Sequence, residues 1–321
     1  YTLPYYNFSK NLDSNSNFLD DYIGGFLSIG SNGTNTLTNT NNLKTLINNN
    51  INYTSMDFIS NLGFKNNFYL YFKNLNSIAK NDDTYSSSAQ IDGMSILKVD
   101  SIYPLSKSNE MSSETLTPKI SFRVNPGNNM NNFSGLSSNI TASNVFDINR
   151  LGISNDFEAG KSLTLGLDYK LDPTENFQSE ETKDKFLELK LATVIRDQYE
   201  TGIPTRSTIN RKNSNIFGTI NNNLLENINF SYDFSLDNDM KTINENTIGT
   251  EISINNFVTS FTLYEQRNEL GDTHVLTNTT EYKVNDNSSL QFSTRRNKEI
   301  NLTEYYNLSY EYKNDCLTAA L

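Results

Sequence analysis

The sequence predicts an all-β protein, an antiparallel transmembrane β-barrel showing about fifteen strands of a larger, incomplete barrel. Three observations lead there. Apolar and polar residues alternate with period two in segment after segment, as strands with one greasy and one wet face require. Shorter and longer connections between those segments roughly alternate. The apolar content is too low to fill a core from two sheet faces: 36% hydrophobic and 20% charged over 321 residues, the balance being largely Asn, Ser and Thr.

The elements follow in chain order. "LPYYNF" at 3–8 reads as a strand, and weaker alternation runs over 43–53, 58–72 and 91–105. In "TLTPKISFRVNP", Leu116, Pro118, Ile120, Phe122, Val124 and Pro126 share one face, while Thr117, Lys119, Ser121, Arg123 and Asn125 share the other. In "KSLTLGLDYK", Leu163, Leu165, Leu167 and Tyr169 oppose Ser162, Thr164, Gly166 and Asp168. In "KFLELKLATVI", Leu187, Leu189, Leu191 and Ile195 oppose Glu188 and Lys190. Ile228, Phe230, Tyr232, Phe234 and Leu236 oppose Asn229, Ser231, Asp233 and Ser235. Near the end, Tyr306, Leu308, Tyr310 and Tyr312 oppose Asn307, Ser309 and Glu311. Tight connections are expected at 54–57, 255–256 and 285–289, and long polar ones at 30–41, 76–89, 126–160, 197–214 and 237–247. The phase of alternation flips across Asn255–Asn256, as a hairpin requires. The connection at 172–184 breaks the rhythm, since it should be short.

A bilayer explains the pattern. Lipid offers the backbone no hydrogen bonds, so spanning strands must pair with one another, and about 9–11 tilted residues cross the apolar layer. The polar partners Ser162, Thr164, Asp168, Glu188, Lys190, Asn229, Ser231 and Asp233 are then candidates to line a wet lumen. Tyrosines at strand ends (Tyr103, Tyr169, Tyr199, Tyr312) suit interfacial girdles, or are simply good strand residues. A β-solenoid would need a fixed repeat, which is absent, and a soluble sandwich would need apolar second faces.

Other classes recede. The net charge of −11 with no basic stripe argues against nucleic acid. The one cysteine, Cys316, excludes an internal disulfide framework. No run approaches the ~18 apolar residues of a membrane helix. The only histidine, His274, with no metal-ligand cluster around it, gives no catalytic set or metal site; it reads as a solvent- or lumen-facing residue near a strand start. "IGSNGTN" at 29–35 lacks the Lys and following helix of a phosphate loop and reads as a turn. The chain is therefore expected to be no enzyme and to need no cofactor. It reads as part of one barrel domain spanning 1–321, trimmed at both ends.

The stretch "LTPKISFRVNPGNNMNN", followed by "SNVFDINRLG" and "FEAGKSLTLGLDYKL", resembles the LptD family of Gram-negative outer-membrane lipopolysaccharide-assembly proteins, also called Imp or OstA. The matching positions are Thr117–Pro118, Arg123, Pro126, Asn144, Phe146, Asn149, Arg150, Glu158 and Gly160, with Ala159 where a second Gly is usual. The resemblance implies a place in the cell outer membrane and a translocon that assembles lipopolysaccharide into the outer leaflet through a polar lumen and a lateral opening. It also implies a plug lipoprotein (LptE), a periplasmic bridge protein (LptA), and an N-terminal periplasmic domain and terminal strands lying outside this chain. If the turns at 255–256 and 285–289 are periplasmic, strand parity puts Cys316 in the periplasm too. The family pairs such a cysteine with one in its N-terminal domain; here Leu317 stands where a second adjacent Cys is often found. A passive porin or a plugged outer-membrane receptor is the alternative function, with the same physics and different cargo. An unclosed barrel with two bare edges is expected to aggregate or mispair.

Overall fold

The computed structural model describes residues 2–13, 24–39, 41–127, 139–152, 158–173, 185–267, 272–314 and 316–321. Its strands form one antiparallel meander: β1 (Thr2–Asp13), β2 (Gly25–Thr38), β3 (Asn42–Ser55), β4 (Phe58–Ile59), β5 (Lys65–Lys80), β6 (Gln90–Ile102), β7 (Leu105–Ser108), β8 (Ser112–Asn125) and β9 (Gly160–Pro173). The meander continues through β10 (Leu187–Arg196), β11 (Ile216–Leu225), β12 (Ile228–Leu236), β13 (Ile243–Ile254), β14 (Phe257–Gln266), β15 (Thr273–Asn285), β16 (Ser288–Asn297), β17 (Leu302–Lys313) and β18 (Thr318–Ala320). β4 prolongs β3 along β5, and β7 prolongs β6 along β8. Of the eighteen strands, setting aside those two continuations and the three-residue β18 leaves fifteen full-length staves. Each stave pairs with its chain neighbours, as in a β-barrel wall, and among the described residues no ladder joins β1 to β17 or β18.

Register carries one outer and one inner face through the whole sheet. The outer row crosses from Leu97 to Val124, Phe122 to Leu163, Leu167 to Leu191, and Phe230 to Asn222. These outer side chains are uncovered: Phe122 is 42% exposed, Leu191 44% and Phe261 43%. The inner row alternates with it and is polar or buried, with Ser121, Arg123, Ser162, Thr164, Ala192, Val194 and Arg196 all below 5%.

The turns explain part of the asparagine content. Asn39, Asn81, Asn255 and Asn301 all adopt positive φ, a region Asn tolerates better than other side chains that carry a Cβ. Turns at 255–256 and 286–287 and the long connections at 126–159 and 197–215 fall at opposite ends of the sheet, as expected. Three boundaries differ from the sequence reading. Residues 29–35 are not a turn and 30–41 not a long connection, because β2 runs to Thr38 and only a tight turn follows. The turn expected at 54–57 lies at 60–64, where Ser60 and Phe64 bond across it; Thr54 and Ser55 still belong to β3, and 56–57 is the break before β4. The connection after Leu236 is short, since β13 starts at Ile243. Most of 172–184 lies outside the described residues.

Candidate functional site: an arginine–glutamate cluster beneath two inward-folded loops

Residues 139–152 of the first long connection and residues 197–215 of the second fold onto the inner face at one end of the wall. Ile140, Ala142, Val145 and Leu151 from the first, and Ile203 and Ile209 from the second, pack with the inner-face Ala192, Val194 and Phe217 of β10 and β11. Burying each such aliphatic side chain is worth about 1.5–3 kcal/mol, which offsets the ordering of loops that would otherwise stay in water.

The first loop is organised by Asn144. Its Oδ1 accepts from the Thr141 N–H (2.8 Å), its Nδ2 donates to the Asn139 carbonyl (2.9 Å), and its own N–H donates to Thr141 Oγ1 (3.3 Å). A turn closes at Asn149, whose carbonyl accepts from Gly152 N–H (3.0 Å). Phe146 reaches down to β8 and β9, and the Lys119 ammonium of β8 lies 5.7 Å from its ring centre. A Cβ on Gly166 would come within 2.5 Å of that ring, so glycine in "SLTLGLDY" makes the seat for Phe146. Asn139 spans to the opposing strands, donating to Glu245 Oε1 (3.0 Å) and Tyr264 Oη (3.1 Å). Arg206 of the second loop likewise donates to Gln266 Oε1 (2.9 Å).

Under these loops Glu158 meets three arginines, all 4% exposed or less. Arg150 grips both carboxylate oxygens: its Nε donates to Glu158 Oε2 (2.6 Å), its Nη2 to Glu158 Oε1 and to Ser162 Oγ (3.0 Å), and its Nη1 to Thr164 Oγ1 (3.0 Å) and the Val145 carbonyl (3.2 Å). Arg196, ending β10, also bonds Glu158 Oε1 and donates to the Ala159 (3.1 Å) and Ile209 carbonyls. Arg123, ending β8, stands 3.8 Å from Glu158 Oε2, with no hydrogen bond at its Nε or Nη1. Burial pushes the Glu158 carboxyl up, but the charges of Arg150 and Arg123, the Arg150 hydrogen bonds and then Arg196 outweigh it and hold the group well below the usual carboxylate range. Asn125 Nδ2 donates to the Glu158 carbonyl (3.1 Å). Gly160 takes φ +85°, the left-handed region that favours glycine, and a Cβ there would also push the Glu200 carboxylate aside.

The motif residues thus converge. Arg123, Asn144, Phe146, Asn149, Arg150, Glu158 and Gly160 belong to one loop-and-strand-end assembly. Pro118 sits apart on β8, where its carbonyl accepts from Tyr103 (3.0 Å) and its missing N–H faces the break between β6 and β7. Pro126 leads out of β8. Arg196 has no place in the sequence reading: it ends an alternating strand, and only its inward parity with Ala192 and Val194 could have singled it out.

The polar inner-face candidates divide. Ser162 and Thr164 are buried against Arg150 rather than facing open space. Asp168 pairs with Lys119, Glu188 with Lys190 (2.9 Å), and Asp233 accepts from Thr219 (2.6 Å). Asn229 reaches Glu251 (3.3 Å), and Ser231 lies beside it on β12, lining the same inner groove. His274 stands opposite Glu265 on the outer face, not toward a lumen. Cys316 is exposed in the turn after β17, and its N–H bonds Asn314 Oδ1 (3.0 Å).

No curated protein matches the chain. The family model LptD, LPS transport system D, matches residues 42–295, a span that includes the whole of this assembly. This polar-lined antiparallel wall therefore belongs to the LptD family of lipopolysaccharide transport proteins.

Proposed function

We propose that this chain is the membrane-embedded wall of an outer-membrane translocon that delivers lipopolysaccharide to the outer leaflet, its polar inner face passing the head group. One observation carries the membrane placement: the outer face presents many large apolar side chains, Phe122, Leu191 and Phe261 among them, with nothing over them, while the alternating inner face is polar, ion-paired and loop-covered. Apolar exposure on this scale marks contact with lipid or a partner surface. The Glu158 assembly pins both loops to the inner face of the wall. A lateral opening for the acyl chains, a plug lipoprotein of the LptE kind and a periplasmic bridge of the LptA kind complete this reading.

Conditional depletion tests it. Lipopolysaccharide should fall at the cell surface and accumulate in the inner membrane. Unchanged surface lipopolysaccharide with altered uptake of small solutes would point instead to a porin. Cys316 adds a second test, since it lies at the tight-turn end with Asn255–Asn256 and Asp286–Asn287, the end assigned here to the periplasm. We propose that it pairs with a cysteine outside this chain. A non-reducing gel of the full-length protein should then show a mobility shift that Cys316→Ser abolishes; identical mobility would sink the pairing.

A further inference from the structure

Residues 139–152 and 197–215 reach well beyond the strands that carry them. On one side Arg150 donates to Ser162 and Thr164 of β9, and the Ser214 hydroxyl accepts from the Val194 N–H of β10 (2.9 Å). In the middle Asn215 Nδ2 donates to Ser235 Oγ of β12 (2.9 Å). On the far side Asn139 meets Glu245 of β13 and Tyr264 of β14, and Arg206 meets Gln266 of β14. Gln266 Nε2 also donates to Glu245 Oε2 (3.4 Å), so the far contacts of both loops share one hub. The loops are joined to each other as well, because Ile140, Val145 and Leu151 lie in one buried cluster with Ile203 and Ile209, seated on Val194 and Phe217 of β10 and β11. With Asn125 of β8 bonded to the Glu158 carbonyl, every stave from β8 to β14 is tied to this one body.

The staves beyond are held differently. On β15, β16 and β17 the described side-chain bonds join only neighbouring staves or the turns between them, as Thr259 to Thr280 (2.8 Å), Tyr310 to Ser288 (3.0 Å) and Arg295 to Glu304 (2.7 Å) do. Gln291, Arg295, Asn307 and Glu311, on the inner face of β16 and β17, are exposed.

The two arcs therefore differ in stiffness. A ladder fixes the spacing of two strands but leaves the angle between them wide latitude, about −10 to −35°. Along a run of staves that latitude accumulates, so an untied arc can tighten or open its curve with every ladder bond intact. A close-packed body bonded along the whole arc removes the freedom, because packed interiors do not deform continuously. Segments with few buried contacts keep it.

We propose that the two loops together form an internal cross-brace, which fixes the curvature of β8–β14 at the long-loop end and leaves flexing of the wall to the staves after β14. Glu245, Tyr264 and Gln266 are its far anchor. The inference goes beyond the transport reading and holds whatever the cargo is.

The test is electron–electron double resonance on the full-length protein in detergent, with the spin labels carried by a genetically encoded amino acid so that Cys316 is left alone. One outer-face pair, at Ile195 and Ile243, spans β10–β13; the other, at Leu263 and Tyr306, spans β14–β17; each covers three steps in the sheet order. The first should give a narrow distance distribution and the second a broad one. Asn139→Ala with Arg206→Ala cuts both far ties and should broaden the first pair to match the second, which stays as it was. Either change alone should broaden it part of the way, and this reads the brace even if the double variant does not fold. Glu245→Gln keeps an acceptor for Asn139 and should leave the first pair narrow. Equal widths in the native protein would overturn the proposal. So would a first pair that stays narrow when the ties are cut, or broadening of both pairs alike.

Discussion

Glu158 and its three arginines behave unequally because their partners differ. Among the described residues Glu158 is the only carboxylate bonded to Arg150 and Arg196, so Glu158→Ala strands buried cations and should cost about 3–5 kcal/mol. Arg123 is buried with two nitrogens lacking hydrogen bonds. Its desolvation is poorly repaid, so Arg123→Met should be neutral or stabilising by up to ~1–4 kcal/mol. Urea titrations of folded protein in detergent, scored by heat-modifiable gel mobility, would separate the two; equal destabilisation would refute the asymmetry. The acid response follows from the same geometry. Glu158 is held below its unfolded value, so its contribution is present above about pH 4.3 and is lost as pH falls below that, where the unfolded chain takes up a proton that the folded chain refuses. Unfolding midpoints should therefore decline below that pH in the native protein and decline less in Glu158→Gln. At this scale the sequence showed much: Arg123, Arg150 and Glu158 were legible through the family pattern. Arg196 was not, because its partner arrives 38 positions away through a loop whose path no periodicity encodes.

Among the elements, the loop at 139–152 depends on the wall it lands on. Phe146 occupies the space that a side chain on Gly166 would need. Gly166→Val should displace the ring while leaving the β9 ladder intact, since valine is a good strand residue. Limited proteolysis should then cut within 126–159 faster than in the native protein, with the sheet's circular dichroism unchanged; equal cleavage rates would mean that the loop is held by Arg150 and Asn139 alone. Alternation made β8, β9, β10 and β12 readable because their outer residues are mostly apolar, with Thr193 and Glu114 as exceptions. It hid β2, whose outer row contains Ser31, Gly33 and Asn35, so "GSNGTNT" carried the composition of a turn inside a strand. The misplaced turn at 54–57 has a similar cause: Met56–Asp57 breaks the pattern, yet β4 resumes the same pairing partner beyond it.

For the whole molecule, the direction of the two faces decides the reading, and depth makes it measurable. Leu191 lies midway along β10 on the outer face and is 44% exposed. If that face meets hydrocarbon, Leu191→Arg must carry a charge into the apolar layer and should cost about 2–4 kcal/mol. Ile243 begins β13 on the same outer face, paired with Leu236 beside the 237–242 turn on the long-loop side, and is 37% exposed. The same substitution there should cost only about 0–1 kcal/mol, because the side chain reaches the interface. On a sheet whose outer face met water, both changes would fall within roughly ±0.5 kcal/mol, as surface substitutions do. Refolding titrations into lipid vesicles measure both variants under one condition. A graded penalty, large at Leu191 and small at Ile243, requires a membrane of finite thickness around this wall, since water would treat the two side chains alike and a protein partner would have no reason to rank them by height.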